Sequence, residues 1–422
     1  MTAILAVALT TSFFSSCVLA TEQDLGLACE SAILMDRNTG RILYEKNADK
    51  QLYPASTTKI MTGILTLENA KLDDMVTIDS KTPFEIHGSH IALEPDEQLS
   101  VKDLLYATMI ESANDAALTL AKHVGGSQEG FAKMMNEKAK EVGATKTHFV
   151  TPNGLPNPDH LTTARDMALI TQYALKNDTF RSIVNQYSYT IGPTNKKTES
   201  RHLNSENKLL YAKGAANKIT VNGQVRDIFY EGAKGVKTGY TDAAQQCLVS
   251  YAKRGDMELI AVVFKSSGKN IWIDTHKLLD YGFNNFKSTP IAFKNKYLGN
   301  ITVTNGEFPF VAGVSAEDLY VTLNKGTADK IEENIVLADT IDAPVYKDQV
   351  LGIVEYSANG QVIGKAKIIA AHDVNLFSAK KVKDPNGNYY KINKIGFWIA
   401  AVYIALNLIK MIYRIQRVAR NK

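Results

Sequence analysis

The sequence predicts an α/β (α+β) domain, followed by a small all-β domain and a C-terminal membrane-anchoring helix. Three observations lead to this prediction: strand patterns enclose a helical region, short alternating runs with Asn-Gly turns follow it, and an uncharged apolar run lies near the C-terminus. The chain has 422 residues, of which 45% are hydrophobic and 22% are charged. This length and composition allow two or three domains with buried cores.

The first domain is predicted to cover residues 21–285. Its strand patterns are 31–36, 41–45, 246–252 and 258–264. Apolar residues at three- and four-residue spacing predict its helices, which are 57–69, 101–123, 129–142, 163–175 and about 271–281. The first two strand patterns flank the turn sequence Arg-Asn-Thr-Gly and read as a hairpin. Because strands enclose the helices along the chain, one sheet built from both ends of the domain is expected.

Residues 286–383 are predicted to form the all-β domain. Asn305-Gly306 and Asn359-Gly360 lie between runs rich in β-branched residues, where Asn-Gly is a strong signal for a hairpin turn. The region shows no obvious catalytic cluster, so it is interpreted as a spacer, a stalk or a docking surface for other proteins. Residues 384–394 form a linker to the apolar run.

Both ends of the chain indicate export and membrane attachment. Residues 1–20 are apolar and end with Val18 and Ala20, the small residues that a signal peptidase requires; a buried N-terminal helix is the alternative to this signal peptide. Residues 395–409 are uncharged, and with 411–413 beyond Lys410 the run 395–413 approaches the ~20 apolar residues that cross a bilayer. The basic residues 414–422 then predict a cytoplasmic C-terminus and domains on the cell-wall side. An amphipathic helix lying on the membrane is the alternative to a spanning anchor.

The charge and the cysteines exclude two classes of protein. The formal net charge is +4, but five basic residues near the C-terminus supply +5, so the rest of the chain gives no reason to expect nucleic acid as a partner. Only Cys29 and Cys247 remain after removal of the signal peptide, so the protein is not a disulfide scaffold. One bridge between these two cysteines stays open. His87 and His90 lie in a predicted loop and form no convincing metal site.

A serine and a lysine three residues apart open the helical pattern at 57–69. In the stretch PASTTKIM, Ser56 and Lys59 lie one turn apart on one face. Ser-x-x-Lys occurs five times in the chain, and only this occurrence starts a strong helical pattern. Free amides at a helix N-terminus can stabilise an anion beside such a serine. The alternative is that these hydroxyls only cap the helix.

Two further polar clusters fit a catalytic site. Ser112 and Asn114 lie in a mostly apolar helical stretch, where uncompensated polar groups are costly; a hydrogen-bonded pair in the core is the alternative. Lys237, Thr238 and Gly239 begin a run that reads as a strand. A cation, a hydroxyl and a glycine that admits a close ligand suit a carboxylate-bearing peptide laid along a strand edge.

In this order the three clusters resemble the S-x-x-K, S-x-N and K-T-G signature of serine penicillin-binding proteins and β-lactamases. Four segments look more narrowly like a low-molecular-mass D-alanyl-D-alanine carboxypeptidase of the peptidase S11 family. They are AILMDRNTGRILYEKNADKQLYPASTTKIMT, ESANDAAL, FVTPNGLPNPDHLTTARDMALI and GVKTGYTDAAQQCLV. The β domain and the anchor fit that family too. The resemblance implies a β-lactamase/transpeptidase-like catalytic domain with an antiparallel sheet flanked by helices.

The resemblance also implies the catalytic roles. Ser56 is the acylated nucleophile, and neutral Lys59 takes its proton. Ser112 relays a proton towards the leaving amine, while Asn114 holds the substrate amide and braces Lys59. A lysine with the ordinary pKa of ~10.4 is a poor base at neutral pH. Burial and the positive charge of Lys237 are therefore expected to lower the pKa of Lys59.

Substrate binding is implied for the K-T-G segment and the residue after it. Lys237 and Thr238 receive the terminal carboxylate of the substrate, next to Gly239 and Tyr240. The backbone N–H groups of Ser56 and Tyr240 form the oxyanion hole. The chemistry implies no metal and no other cofactor.

One position departs from the family pattern. Many members carry an arginine three residues before an acidic residue of the last helix of this domain. Here Ile271 stands three residues before Asp274, and Lys269 is the nearest basic side chain. Recognition of the substrate carboxylate is therefore expected to differ in detail.

The implied function is removal of the terminal D-alanine from the stem pentapeptides of peptidoglycan, with β-lactam antibiotics as covalent inhibitors. A β-lactamase is an alternative, although the segment at 151–166 lacks the Glu of the E-x-x-L-N pattern that class A enzymes use. Peptidoglycan endopeptidase or transpeptidase activity also stays open. The alternative from a different class is a catalytically silent wall-binding protein.

Overall fold

The computed structural model describes residues 24–326, 330–378, 381–383 and 389–391. The predicted signal peptide, the membrane anchor, the basic tail and most of the predicted linker lie outside these residues. Within the described ranges, no helix has the length and apolar character that crossing a membrane requires. The described chain divides into two compact units, with the first division after Thr289. A short segment that starts at Thr322 returns to the first unit.

An antiparallel five-stranded sheet lies at the centre of the first unit. The strands of this unit are β1 (Ser31–Asp36), β2 (Ile42–Lys46), β3 (Met75–Thr77), β4 (Gln98–Ser100), β5 (Ser188–Ile191), β6 (Arg201–Asn204), β7 (Lys218–Val221), β8 (Gln224–Asp227), β9 (Ala233–Thr241), β10 (Gln245–Arg254) and β11 (Met257–Ser266). The central sheet has the order β2-β1-β11-β10-β9. Strands from both ends of the unit therefore share one sheet, as predicted, and β9 forms its edge.

Helices cover both faces of this sheet. They are α1 (Lys59–Asn69), α2 (Thr82–Glu85), α3 (Val101–Met109), α4 (Asn114–Gly125), α5 (Gln128–Glu141), α6 (Ala164–Ala174), α7 (Asp178–Val184) and α8 (Asn270–Asn285). Alternate residues of β1 enter two different cores because successive side chains of a strand point to opposite faces. Ile33 and Met35 pack with residues of α1 and α3–α7, whereas Ala32 and Leu34 pack with residues of α8.

The predicted single helix at 101–123 is wrong, because the chain breaks into α3 and α4 at the Ser-x-Asn segment. Ser112 has a φ of +62°, a left-handed conformation that cannot continue a right-handed helix. The backbone N–H of Asn114 donates to the Ser89 carbonyl at 2.7 Å instead of to a carbonyl of the preceding helical turn. Both helices bury apolar faces, so the hydrophobic spacing continues across the break and conceals it.

The second unit is built from strands, which confirms the predicted all-β domain. The strands after α8 are β12 (Phe286–Ala292), β13 (Tyr297–Thr304), β14 (Phe310–Ser315), β15 (Leu319–Asn324), β16 (Ile331–Leu337), β17 (Thr340–Asp342), β18 (Val350–Ala358), β19 (Gln361–Ala370), β20 (Lys381–Lys383) and β21 (Tyr389–Lys391). Six of them form a sheet of order β16-β18-β19-β14-β13-β17. Asn359 and Gly360 have φ values of +53° and +76° and join β18 to β19, as an Asn-Gly hairpin turn requires.

The two described cysteines are free and buried, so the bridge that the sequence left open is not formed. Cys29 and Cys247 each have a pKa raised to about 12, mainly because burial disfavours the thiolate. Neither thiol is therefore a reactive nucleophile at neutral pH.

Candidate active site

Ser56 and Lys59 lie in consecutive turns at the start of α1. Ser56 belongs to a 3-10 turn, and α1 begins at Lys59. The hydroxyl of Thr57 stabilises this turn by donating to the carbonyl of Pro54 at 2.7 Å. The Nζ atom of Lys59 donates to Ser56 Oγ at 2.9 Å. The hydroxyl and the amine are thus in direct contact.

Lys59 is fully buried, and its hydrogen-bond partners are uncharged oxygens. In addition to Ser56, Nζ contacts Asn114 Oδ1 at 2.6 Å and the carbonyl of Asn153 at 3.0 Å. Burial lowers the pKa of Lys59 well below its ordinary value, and the positive charge of Lys237 lowers this pKa further. A neutral amine in contact with a serine hydroxyl can accept its proton.

The loop between α2 and β4 holds Asn114 in position. Asn114 Nδ2 donates to the carbonyl of His87 at 2.7 Å, which leaves Oδ1 directed at Lys59. The neighbouring Asp115 carboxylate accepts hydrogen bonds from two backbone N–H groups of the same loop, Ile91 at 3.2 Å and Leu93 at 3.1 Å. His87 therefore contributes its carbonyl to the site.

Among the described residues, no group of three or more His, Cys, Asp or Glu side chains could hold a metal ion.

The K-T-G segment lies on the edge strand β9, directly beside the Ser56 turn. A Cβ atom on Gly239 would lie 2.9 Å from the backbone nitrogen of Ser56, which real Cβ atoms do not tolerate. Glycine is required at this position because any side chain would push the strand and the turn apart. The next residue, Tyr240, is 63% exposed. Two backbone segments that carry the predicted oxyanion donors are thereby brought together.

Lys237 is a second buried lysine. Its Nζ donates to the carbonyl of Thr238 at 3.1 Å. Burial lowers the pKa of Lys237 to about 8, while the negative charges of Glu206 and Glu111 oppose this shift. At neutral pH Lys237 is therefore mostly a cation.

The structure gathers Ser56, Lys59 and Asn114 into one hydrogen-bonded group, with Gly239 against it. Ser112 is 2% exposed and lies in the link between α3 and α4, two residues before Asn114. Its left-handed backbone distinguishes it from an ordinary core serine.

Three residues of the site, Asn153, Gly154 and Glu206, were not predicted as site residues from the sequence. Asn153 contributes only its backbone carbonyl, and Gly154, with a φ of +81°, lets its loop approach the Ser56 turn. The Asn-Gly pair is the one local sign of this turn. Glu206 accepts a hydrogen bond from Thr238 Oγ1 at 2.9 Å. It lies inside a second Ser-x-Asn match, which sequence spacing cannot distinguish from the first.

Three residues near the position where many family members carry an arginine bind other parts of this domain; they are Lys269, Ile271 and Asp274. The Asp274 carboxylate accepts the backbone N–H groups of Ala28 and Cys29 at 3.0 and 2.8 Å. Lys269 Nζ donates to the Lys218 carbonyl at 2.9 Å. Ile271 is buried in the core on the α8 side of the sheet.

Two family models match the chain. One, described as D-alanyl-D-alanine carboxypeptidase (Peptidase S11), matches residues 18–268. The other, described as the C-terminal domain of penicillin-binding protein 5, matches residues 286–382.

Individual relatives agree with these matches. D-alanyl-D-alanine carboxypeptidase DacF of Bacillus subtilis is 34% identical over 83% of this chain and 87% of its own length. Penicillin-binding protein 5 from Haemophilus influenzae is a solved structure with a TM-score of 0.67 and 29% identity, over 83% of this chain and 98% of that one. A variant of the Streptomyces K15 DD-transpeptidase has a TM-score of 0.55 and 32% identity, over 61% of this chain and 98% of that one.

Proposed function

The chain belongs to the D-alanyl-D-alanine carboxypeptidase family, peptidase S11, and we propose that it removes the terminal D-alanine from peptidoglycan stem pentapeptides through an acyl-enzyme on Ser56. Acyl-enzyme formation and covalent inhibition by β-lactams are general in this family. The observation that carries the assignment of residues is the 2.9 Å contact between Ser56 Oγ and the buried amine of Lys59, whose pKa is lowered.

Binding places the scissile carbonyl between α1 and β9. Lys237 and Thr238 receive the terminal carboxylate of the substrate, and the buried cation of Lys237 supplies the attraction. The carbonyl oxygen enters the hole formed by the N–H groups of Ser56 and Tyr240. The close approach of Gly239 to Ser56 supports this hole, because it brings both backbone segments to one point.

The bond changes follow from these positions. Neutral Lys59 takes the proton of Ser56 while Oγ bonds to the carbonyl carbon, and the negative charge moves to the carbonyl oxygen. Ser112 relays the proton that Lys59 took up to the leaving nitrogen, the oxyanion re-forms the carbonyl as the C–N bond breaks, and D-alanine leaves. Asn114 holds the substrate amide and keeps Lys59 in place. Water then attacks the ester, which releases the shortened peptide and restores the hydroxyl of Ser56.

A direct experiment separates this function from its alternatives. The full chain is purified in detergent and incubated with a diacyl-lysyl-D-Ala-D-Ala peptide, with cross-linked peptide dimers and with labelled penicillin. Release of D-alanine together with long-lived labelling supports the carboxypeptidase. Cleavage of dimers without D-alanine release indicates an endopeptidase, whereas D-alanine release that accompanies the formation of dimers indicates a transpeptidase, the activity named for the Streptomyces K15 structure. Rapid penicillin turnover indicates a β-lactamase, and no reaction indicates a silent wall-binding protein.

Gly239→Ala is expected to lower the rate of penicillin acylation about 100-fold, because a displacement of about 1 Å in a catalytic site has effects of this size. The added Cβ would lie 2.9 Å from the Ser56 nitrogen and would move the strand or the turn. Gly192→Ala is the matched control, since its Cβ would meet no atom within 4 Å. Stopped-flow acylation of both variants checks the prediction. Equal rates for Gly239→Ala and the unchanged protein would contradict it.

The membrane association is also part of the proposal. The catalytic domain acts on the cell-wall side after removal of residues 1–20, and residues 395–413 anchor it. Supporting this are the apolar character of both segments and the basic residues at 414–422. A chain that stops at residue 390 is expected to leave the membrane fraction and appear outside the membrane, while the full chain stays bound. Fractionation with labelled penicillin detects both, and retention of the shortened chain would show that the C-terminal segment is not the tether.

A further inference from the structure

Glu206 lies at the hydroxyl that the proposed function assigns to the substrate. Its exposed side chain accepts a hydrogen bond from Thr238 Oγ1 at 2.9 Å. A threonine hydroxyl has one proton and donates it to one acceptor at a time. The terminal carboxylate of a bound peptide therefore competes with Glu206 for this donor.

The backbone on both sides of Glu206 is firmly held. Ser205 N–H donates to the Tyr187 carbonyl at 2.7 Å, and Asn207 N–H donates to Ser205 Oγ at 3.1 Å. Asn207 is only 3% exposed. The carboxylate of Glu206 is thus kept within reach of Thr238 by anchored neighbours.

The negative charge of Glu206 acts on both lysines of the site. It raises the pKa of Lys237, together with Glu111, and the pKa of Lys59, together with Asp115, against the larger lowering by burial. Because this negative charge lies close to the Lys237 cation, its field also opposes part of the attraction of that cation for a substrate carboxylate.

We propose that Glu206 is a specificity-determining residue that competes with the substrate's terminal carboxylate for Thr238 and Lys237. This inference rests on the proposed function, because it concerns the binding site of the leaving D-alanine. Two carboxylates on one hydroxyl repel each other, whereas an uncharged terminus does not meet this repulsion. Glu206 thereby reduces the preference of the site for carboxylate-terminated leaving residues over uncharged ones.

The test compares two substrates on the full chain. They are a diacyl-lysyl-D-Ala-D-Ala peptide and the same peptide with a C-terminal amide. E206Q keeps the shape and an acceptor oxygen but removes the charge, so the ratio of kcat/KM for the acid over the amide is expected to rise about fivefold. D242N is the matched control: Asp242 is an exposed acid directly after β9, and its carboxylate accepts a hydrogen bond from the Tyr240 hydroxyl. An unchanged ratio in E206Q, or an equal rise in D242N, would overturn the proposal.

The pH dependence of the rate is a second measurement, because a purely structural role of Glu206 would leave it unchanged. Removing the charge lets the pKa values of Lys59 and Lys237 fall further, so both limbs of the rate profile for the acid substrate shift to lower pH in E206Q. E206D keeps the charge and is expected to retain the profile of the unchanged protein. Limbs that stay in place in E206Q would contradict a role for the charge. Glu111, Asp115 and Tyr211 are the other titratable groups that interact with these residues, and none of them is altered.

The rate of acylation by labelled penicillin separates this inference from the proposed function. Penicillin carries a carboxylate, so E206Q is expected to be acylated about fivefold faster than the unchanged protein. Acylation by penicillin without release of D-alanine would contradict the proposed carboxypeptidase activity. The acylation rates of E206Q and the unchanged protein would still test the role of Glu206. Equal acylation rates would overturn the inference while the carboxypeptidase stands.

Discussion

Ser56→Ala is expected to reduce D-alanine release at least about 10⁴-fold and to abolish covalent labelling by penicillin. The reaction requires an oxygen that bonds to the carbonyl carbon, and alanine offers none. Lys59, Asn114 and the K-T-G segment stay in place, so binding of the peptide should persist. Mass spectrometry of the penicillin-treated protein and an assay of free D-alanine measure both effects.

A second Ser-x-x-Lys pair provides the matched control. Ser250 precedes Lys253 at the same spacing, but it lies in the interior strand β10. Its buried Oγ atom has no hydrogen-bond partner among the described residues. Ser250→Ala should therefore keep full labelling and D-alanine release. An adduct that persists in Ser56→Ala, or disappears in Ser250→Ala, would contradict the assignment of the nucleophile.

The fold was largely predictable because its signals are local. Alternation and hairpin turns identify β1, β2, β13, β18 and β19, and three- and four-residue spacing identifies α1, α5 and α6. The break between α3 and α4 was not predictable in this way. It depends on the left-handed backbone of Ser112, and hydrophobic spacing does not report a backbone angle.

The residues of the site were also predictable from local signals, but their contacts were not. Three short motifs point to Ser56, Asn114 and Lys237. Their distances from one another are set by tertiary packing, which brings the edge strand β9 beside the start of α1. Glu206 stayed unpredicted because an exposed glutamate matches the composition of any loop. Its relevance comes from the hydroxyl it faces, which is a tertiary contact.

The effect of removing Lys59 tests the central step of the mechanism. Lys59→Met has a similar shape without the amine, and acylation of Ser56 is expected to slow about 10²- to 10⁴-fold, the usual contribution of a general base. Loss of the amine leaves Asn114 Oδ1 and the Asn153 carbonyl without their donor. The thermal unfolding midpoint of the variant therefore has to be measured beside its rate, to establish that it is folded.

The pH profile distinguishes a base from a merely positioning lysine. In the unchanged protein, acylation should fall as the pH drops through the lowered pKa of Lys59, because the ammonium form cannot accept a proton. It should also fall above about pH 8, where Lys237 loses the charge that attracts the carboxylate. In Lys59→Met the acidic limb should vanish while the alkaline limb remains, because only the first depends on Lys59. An acidic limb that survives in the variant, or a Lys59 that titrates by NMR like a solvent-exposed lysine, would assign the base to another group.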